Sequence, residues 1–214
     1  MTNPISEDKK VVTVLELFAG TCSFSRVASD NGFDIFTSDY DPQFNTDYTV
    51  DIMDFDITKV PFKVDVIWAS PPCEGFSVAS IGHHWNTDHT PKTQKAEMSV
   101  KYVEKVRQII DELRPKYWFI ENPRGKLRKL PIMKELPRHT VTYCQYGDTR
   151  MKPTDIWTNL KWTPRPVCKN GDTCHIAAPR GSKTGTQGIK TYKDRSRVPK
   201  ELCQEIVDAI KESL

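Results

Sequence analysis

VVTVLELFAG, residues Val11 to Gly20, is an apolar run rich in β-branched side chains that closes on a pair of small residues. It reads as a buried strand feeding a tight turn. Residues 23–31 follow with a helical pattern that Asn31-Gly32 stops. Phe33 to Ser38, FDIFTS, is a second strand, and Val64 to Ala69, VDVIWA, a third that runs straight into Pro71-Pro72. From Glu97 to Leu113, apolar residues recur at Met98, Val103, Val106, Ile109, Ile110 and Leu113, a helical spacing ended by Arg114-Pro115. Tyr117 to Ile120, YWFI, is a fully apolar strand, and Val141 to Tyr146 is a further one. Leu202, Ile206, Val207 and Ile210 mark a last amphipathic helix.

Strands alternating with helices imply an α/β, doubly wound fold, a parallel sheet with helices on both faces. Ligands of such sheets lie beyond the carboxyl ends of the strands. Gly20, Asp39, Cys73 and Glu121 each stand just past a predicted strand end, so residues far apart in sequence should meet along one edge.

Composition narrows the class. A chain of 214 residues with 37% hydrophobic and 28% charged residues can bury one sizeable core. No run is long enough to cross a bilayer, and the opening MTNPISEDKK lacks the apolar stretch of a signal peptide. A cytoplasmic protein without a membrane partner is expected. The six cysteines are scattered, and in a reducing compartment they are free thiols or, where clustered, metal ligands. The net charge of +3 hides an asymmetry: residues 1–114 carry 11 Lys/Arg and 18 Asp/Glu, and residues 115–214 carry 20 and 10. The second half therefore offers a surface for a polyanion, or simply a solvated basic face. Residues 160–198 hold 9 of its basic residues against 2 acids and show little periodicity, which marks a loop-rich insert before the final helix.

The turn FAGTCS lets the backbone approach a ligand closely, and Asp39, in SDYDP, stands where doubly wound folds place a carboxylate on ribose hydroxyls. With Tyr40 beside it to stack on a purine, a nucleoside-containing cofactor is the better reading of the pair. Cys73, in SPPCEGFS, is a thiol held by two prolines at a strand end, which suits a nucleophile better than a structural core cysteine. Glu121, in FIENPRG, is a candidate acid; the alternative is an ion pair with Arg124 or Arg128. Residues 78–95 carry His83, His84, Trp85 and His89 without a convincing ligand spacing and read as a mobile surface loop. In CKNGDTCH, Cys168, Cys174 and His175 have a spacing of five and lack a fourth ligand unless Cys144 supplies one, so no metal is expected. Trp162 and the nearby basic residues are candidates for contact with a nucleic-acid backbone, with aromatic stacking as a further option.

Taken together these motifs resemble the cytosine carbon-5 DNA methyltransferases. LELFAGTCSFS is similar to that family's first motif, SDYD and VDIMDFD to the next two, SPPCEGFS to its Pro-Cys motif and FIENPRG to its Glu-Asn motif. YGDTRMK resembles its basic segment and YKDRSRVPKELCQEIVDAI its last motif and helix, so that the likeness spans residues 11–160 and 192–212. The resemblance implies a Rossmann-like fold that binds S-adenosylmethionine through Phe18, Ala19, Gly20, Thr21, Cys22, Ser23, Asp39, Tyr40, Asp51, Ile52 and Pro72. It implies catalysis by Cys73, Glu121, Arg150 and Lys152, with Arg150 on the carbonyl oxygen of the base. It also implies contact with DNA through Ser77, Ser80, Arg124, Arg180, Lys183 and Lys190. The organisation expected is a core over residues 11–160, a small basic insert over 161–191 in place of a large target-recognition region, and a closing segment over 192–214. The sequence departs from the family where Cys22 replaces a glycine, Pro123 follows Glu-Asn, Lys152 replaces an arginine, and Arg195 to Arg197 replace a Gly-Asn pair. Two other readings stay open: an RNA or free-nucleotide cytosine methylase, and a non-catalytic nucleic-acid-binding module on the same fold. A recognition partner or second subunit also stays open, and the small size suits a phage enzyme acting in its host's cytoplasm.

Overall fold

The computed structural model describes residues 11–77, 81–177, 189 and 191–214, and of Tyr192 only the backbone. The opening apolar run supplies β1 (Thr13–Leu17), followed by α1 (Ser23–Asp30), β2 (Asp34–Asp39) and the two-residue β3 (Tyr48–Thr49). After β4 (Val66–Ala69) come the short α2 (Ile81–His84), the long α3 (Gln94–Leu113) and β5 (Tyr117–Pro123). The remainder is α4 (Pro131–Lys134), β6 (Arg138–Thr142), β7 (Pro153–Thr158), α5 (Tyr192–Ser196) and α6 (Lys200–Glu212).

The strands form one sheet in the order β3-β2-β1-β4-β5-β7-β6, with β1 at the point where the order reverses. β1 to β5 are mutually parallel, but β7 lies antiparallel between β5 and β6. The expectation of a wholly parallel sheet is thus corrected to a mixed one. Physically, β6 and β7 are joined by a connection too short for a helical crossover, and an antiparallel neighbour needs none. The expected strand over Val141 to Tyr146 is also corrected: the strand ends at Thr142, and Tyr143–Tyr146 form a 3-10 turn closed by Gly147.

Both faces of the sheet are covered, which is why its strands read as continuous apolar runs. Val14, Val66, Trp68 and Phe119 point to the face packed by α1 and α6, while Leu15, Leu17, Ile67, Ala69 and Ile120 point to the face packed by α3. On the first face Phe24 of α1 stacks on Trp68 with ring centroids 4.6 Å apart, and Phe119 lies 5.7 Å from Trp68. α3 starts at Thr93, whose hydroxyl accepts the Ala96 amide at 3.3 Å, and ends where Arg114 turns left-handed before Pro115.

α1 starts differently. Cys22 stands at its N-cap with no side-chain cap, and Glu16 of β1 takes that part from below. The Glu16 carboxylate accepts the Ser25 amide at 2.9 Å, the Phe24 amide at 3.4 Å and the Ser25 hydroxyl. The expected insert, residues 161–191, is described only in part. Its first residues are packed: Trp162 is buried, its ring meets His139 at 5.4 Å, and its indole N–H donates to Glu205 at 3.1 Å. That corrects the reading of Trp162 as a stacking platform for nucleic acid, because its faces are already used inside the core. Arg165 pairs with Glu201 and Glu205 of α6 at 2.7 and 3.0 Å.

Two loops leave the edge beside the strand ends, and glycines set how close they come. Any Cβ on Gly125 would overlap the Phe76 carbonyl oxygen, which also accepts the Lys126 amide at 2.9 Å. Gly125→Ala should therefore separate the loop after β4 from the loop after β5 and lower stability by about 2 kcal/mol, the range typical of overpacking. Chemical unfolding of the variant beside the parent chain checks this.

Candidate active site

A cleft of about 720 Å³ opens along the carboxyl edge of β1, β2, β4 and β5. One wall holds Phe18, Ala19, Gly20, Thr21, Ser23, Asp39 and Tyr40; the other holds Pro72, Cys73, Ser77, Glu121, Arg124, Arg150 and Lys152. Glu16, His175 and Arg195 also line it. Three residues assigned to the cofactor lie outside this lining. Cys22 is half-buried at the start of α1, Asp51 caps its own turn by accepting the Met53 amide at 2.9 Å, and Ile52 is buried in the core. Ser80, Arg180, Lys183 and Lys190 lie outside the described residues.

The first wall is a strained turn. Phe18 and Cys22 both have φ of 54°, the left-handed region that costs a residue with a Cβ about 1–2 kcal/mol. The turn is held by its ends: Ala19 donates to the Ser38 carbonyl at 3.0 Å, and Gly20 donates to the Asp39 carboxylate at 2.9 Å. The other Asp39 oxygen accepts the Asp41 amide at 3.0 Å. The carboxylate is thereby fixed at the strand end, while Tyr40 next to it stays 67% exposed over the cleft. This set of groups fits a nucleoside, a carboxylate for the ribose hydroxyls and an open aromatic ring for the base.

The second wall carries the thiol. Asn122 donates its side-chain amide to the Pro71 carbonyl at 2.9 Å, locking the Pro-Pro-Cys turn to the end of β5. Trp85 closes the turn from behind, with its indole N–H on the Gly75 carbonyl at 2.6 Å and its ring against Phe76. Lys126 sits over the Trp85 ring at 5.0 Å and meets His89 at 2.6 Å. His84 is buried and bonded to Thr93 at 2.8 Å. Within residues 81–95, read from the sequence as a surface loop, His84 and Trp85 are anchored in this way while most of their neighbours are exposed.

Opposing effects act on Cys73, and the upward one from burial is the largest. Burial pushes the thiol up from its ordinary range, the Lys152 ammonium pulls it down, and Glu121 pushes it up again. Lys152 is itself lowered by burial and raised by Glu121 and Cys73. Its ammonium donates to the Arg195 carbonyl at 3.0 Å and lies 4.6 Å above the Tyr143 ring. Glu121 accepts the Tyr143 hydroxyl at 2.9 Å rather than pairing with Arg124 or Arg128; Arg128 is bound to Asp155 instead. Arg150 lines the cleft, but its guanidinium forms a fork with Asp148 and donates to the Asp194 and Arg195 carbonyls at 3.3 and 3.2 Å. The cation coupled to thiol and carboxyl is therefore Lys152, with Arg150 holding the segment that holds it.

Sequence reasoning passed over Glu16, Tyr143 and Asn122. Glu16 was legible as the one charge in an otherwise apolar strand, and Asn122 as the neighbour of Glu121. Nothing local marked Tyr143, which reaches the site only because β7 and its preceding turn fold back beside β5.

With this geometry in view, residues 12–131 match the family model for the C-5 cytosine-specific DNA methylase. The chain belongs to that family. It is 31% identical over 216 residues to a protein of Frog virus 3 (isolate Goorha) named probable DNA (cytosine-5)-methyltransferase, covering 91% of this chain and 98% of that one. It is 33% identical over 135 residues to the type II methyltransferase M.HpaII of Haemophilus parainfluenzae, covering 58% of this chain but only 34% of that enzyme. The solved methyltransferase EhMeth of Entamoeba histolytica shares the fold, with a TM-score of 0.52 at 14% identity over 73% of this chain and 56% of that one. The α/β Rossmann-like methyltransferase fold is thus established, and the match spans about a third of M.HpaII and just over half of EhMeth. Among the described residues no helix is long and apolar enough to cross a membrane.

Two predictions rest on these charges. Replacing Lys152 by Met removes the ammonium that favours the thiolate, so alkylation of Cys73 by iodoacetamide should slow and its pH profile move to higher pH. Glu121→Gln should move the profile the other way. Mass spectrometry of the Cys73 peptide reads both. Glu16 is raised from 4.5 to about 7 by burial, which outweighs its hydrogen bonds to the first turn of α1. Its neutral form is then favoured in the fold: the contribution is fully present below about pH 4.5 and is lost as pH rises through about 7. At 1.36 kcal/mol per pKa unit the loss is about 3 kcal/mol. Glu16→Gln should lack this fall, as urea unfolding of both proteins at several pH values between 4 and 8 would show.

Proposed function

We propose that the protein transfers a methyl group from S-adenosylmethionine to carbon 5 of cytosine in DNA, by way of a covalent adduct on Cys73. The observation that carries the proposal is the convergence of Cys73, Glu121 and Lys152 on one wall of a single cleft, facing the Asp39–Tyr40 wall that suits a nucleoside. DNA as substrate rests on the Frog virus 3 relative, which shares nearly its whole length with this chain.

When bound, the cofactor supplies an electrophilic methyl group, and Asp39, Tyr40 and the Phe18–Ser23 turn are the residues that would hold it. Carbon 5 of cytosine is a poor nucleophile by itself. Addition of the Cys73 thiolate to carbon 6 makes carbon 5 enamine-like. Glu121 favours that addition by binding ring nitrogen 3 and the exocyclic amine, with its carboxyl group already oriented by the Tyr143 hydroxyl. Lys152 keeps two of its three ammonium hydrogens beyond the bond to Arg195 and offers one to the carbonyl oxygen of the base. This is the part that the sequence had assigned to Arg150. After methylation a solvent base takes the carbon-5 proton, and the electron pair left behind expels Cys73 from carbon 6 as the thiolate. The Asn122–Pro71 bond and the prolines matter because about 1 Å of misplacement of the sulfur can cost about 10²-fold in rate. A base in a duplex must first leave the stack, at a cost of a few kcal/mol.

The test is incubation with labelled S-adenosylmethionine and, separately, DNA, RNA and dCMP. Label should appear in DNA as 5-methylcytosine, vanish with Cys73→Ala, and fall about 10²-fold or more with Glu121→Gln. Label in RNA or dCMP alone would replace DNA as the substrate, and binding of DNA without transfer would favour a non-catalytic module.

A further inference from the structure

Away from the reacting thiol, four donor side chains come together that the sequence leaves apart. Cys144 lies in the turn after β6; Cys168, Cys174 and His175 lie in the irregular segment after β7. Cys144, which the sequence left open as a fourth ligand, is brought against the segment because β6 and β7 pair side by side. The four ligand atoms all lie within 4.8 Å of one another.

The spacing approaches that of a coordination shell. With metal–sulfur bonds of about 2.3 Å and metal–nitrogen bonds of about 2.0 Å, a tetrahedral zinc site has ligand–ligand edges of about 3.5–3.8 Å. Here Cys144 and Cys174 Sγ are 3.6 Å apart, Cys174 Sγ and His175 Nδ1 3.6 Å, Cys168 Sγ and His175 Nδ1 3.8 Å, and Cys144 and Cys168 Sγ 3.1 Å. All the cysteines are free thiols, and the 3.1 Å pair is far from the roughly 2.05 Å of a disulfide.

The surroundings are those of a ligand set. Cys144 and Cys168 are buried. The Gln145 side-chain amide donates toward Cys174 Sγ at 3.5 Å, as outer donors do toward metal-bound thiolates. The segment is aligned by backbone bonds at both ends, from Cys168 to the Thr142 hydroxyl at 3.0 Å and from Ile176 to the Thr149 carbonyl at 2.9 Å. His175 Nε2 is buried without a hydrogen-bond partner among the described residues. Nδ1 on a metal would fix the proton on that nitrogen.

We infer that Cys144, Cys168, Cys174 and His175 form a structural zinc site that clamps the start of the basic insert to the end of β6. Three thiolates and an imidazole in a closed tetrahedron select zinc among the common divalent ions. His175 also lines the cleft, so the clamp would fix one part of its wall. This inference stands independently of the proposed methyl transfer.

The experiment uses the full chain, expressed with zinc present and purified under reducing conditions. Elemental analysis should find about one zinc per chain. Cobalt substitution should give thiolate charge-transfer bands and the intense visible absorption of a tetrahedral site. Cys174→Ser alters an exposed residue and should leave a folded protein that has lost most of its zinc, while Cys203→Ala, a buried cysteine outside the cluster, should keep it. Chelation should lower the melting temperature of the parent and not of Cys174→Ser. Zinc well below stoichiometry in the folded parent, a cobalt spectrum without thiolate bands, a Cys144–Cys168 disulfide under reducing conditions, or zinc retained in Cys174→Ser would each overturn the assignment.

Discussion

The carboxyl group of Glu16 sits under the first turn of α1, and the edge of the sheet takes its shape from that contact. Helix α1 has no cap of its own at Cys22. A side chain from the preceding strand accepts the orphan amides instead, so strand and helix are joined through the turn as well as along it. This lets the turn hold Phe18 and Cys22 at positive φ, conformations that an unsupported loop would relax. Gly20 is thereby aimed at Asp39, and the two strand ends are tied at the cleft. The burial that makes Glu16 effective also disfavours its charge, so one residue links the geometry of the cleft to pH.

Much of this was legible in the sequence, because doubly wound sheets announce themselves by apolar runs that stop at turns. β1, β2, β4 and β5 were read from such runs, and their ends mark the site. β7 was not, for a physical reason. Its Thr154, Asp155 and Thr158 are polar yet buried, and Asp155 is satisfied by Arg128 and Thr140 from neighbouring segments. A strand whose polar groups are met by distant partners carries no local apolar signature. The opposite error occurred at Tyr143–Tyr146, where buried aromatic residues suggested a strand but the chain had to turn back toward β7. Trp162 misled likewise, since an aromatic among basic residues looks like a nucleic-acid platform until its contacts with His139 and Glu205 are seen.

The site shows the same division. Cys73, Glu121 and Asp39 were identifiable because each stands at or just past the end of an apolar run, although Asp39 and Glu121 are still within β2 and β5, but the division of labour between Arg150 and Lys152 was not. Two cations separated by one residue are equivalent in sequence, whereas in the fold one is consumed by Asp148 and backbone carbonyls and the other, bonded to the Arg195 carbonyl, is the charge that draws the thiol down. A guanidinium forked onto a carboxylate makes a good strut, and a compact ammonium with spare donors makes a good local charge. The arrangement therefore uses each cation for what its shape does best.

The insert raises the last physical question, how so short a segment is positioned without a core of its own. Residues 161–177 contain no helix or strand of their own, so their placement comes from cross-links to the main body. Three kinds are visible. Trp162 is buried against His139, Arg165 bridges to two acids of α6, and the sulfur–imidazole cluster joins Cys168, Cys174 and His175 to Cys144. The first two fix where the segment begins, and the third fixes it again where it reaches the cleft. Residues 161–177 are thereby held at both points, and the second of them brings His175 to the wall of the cleft.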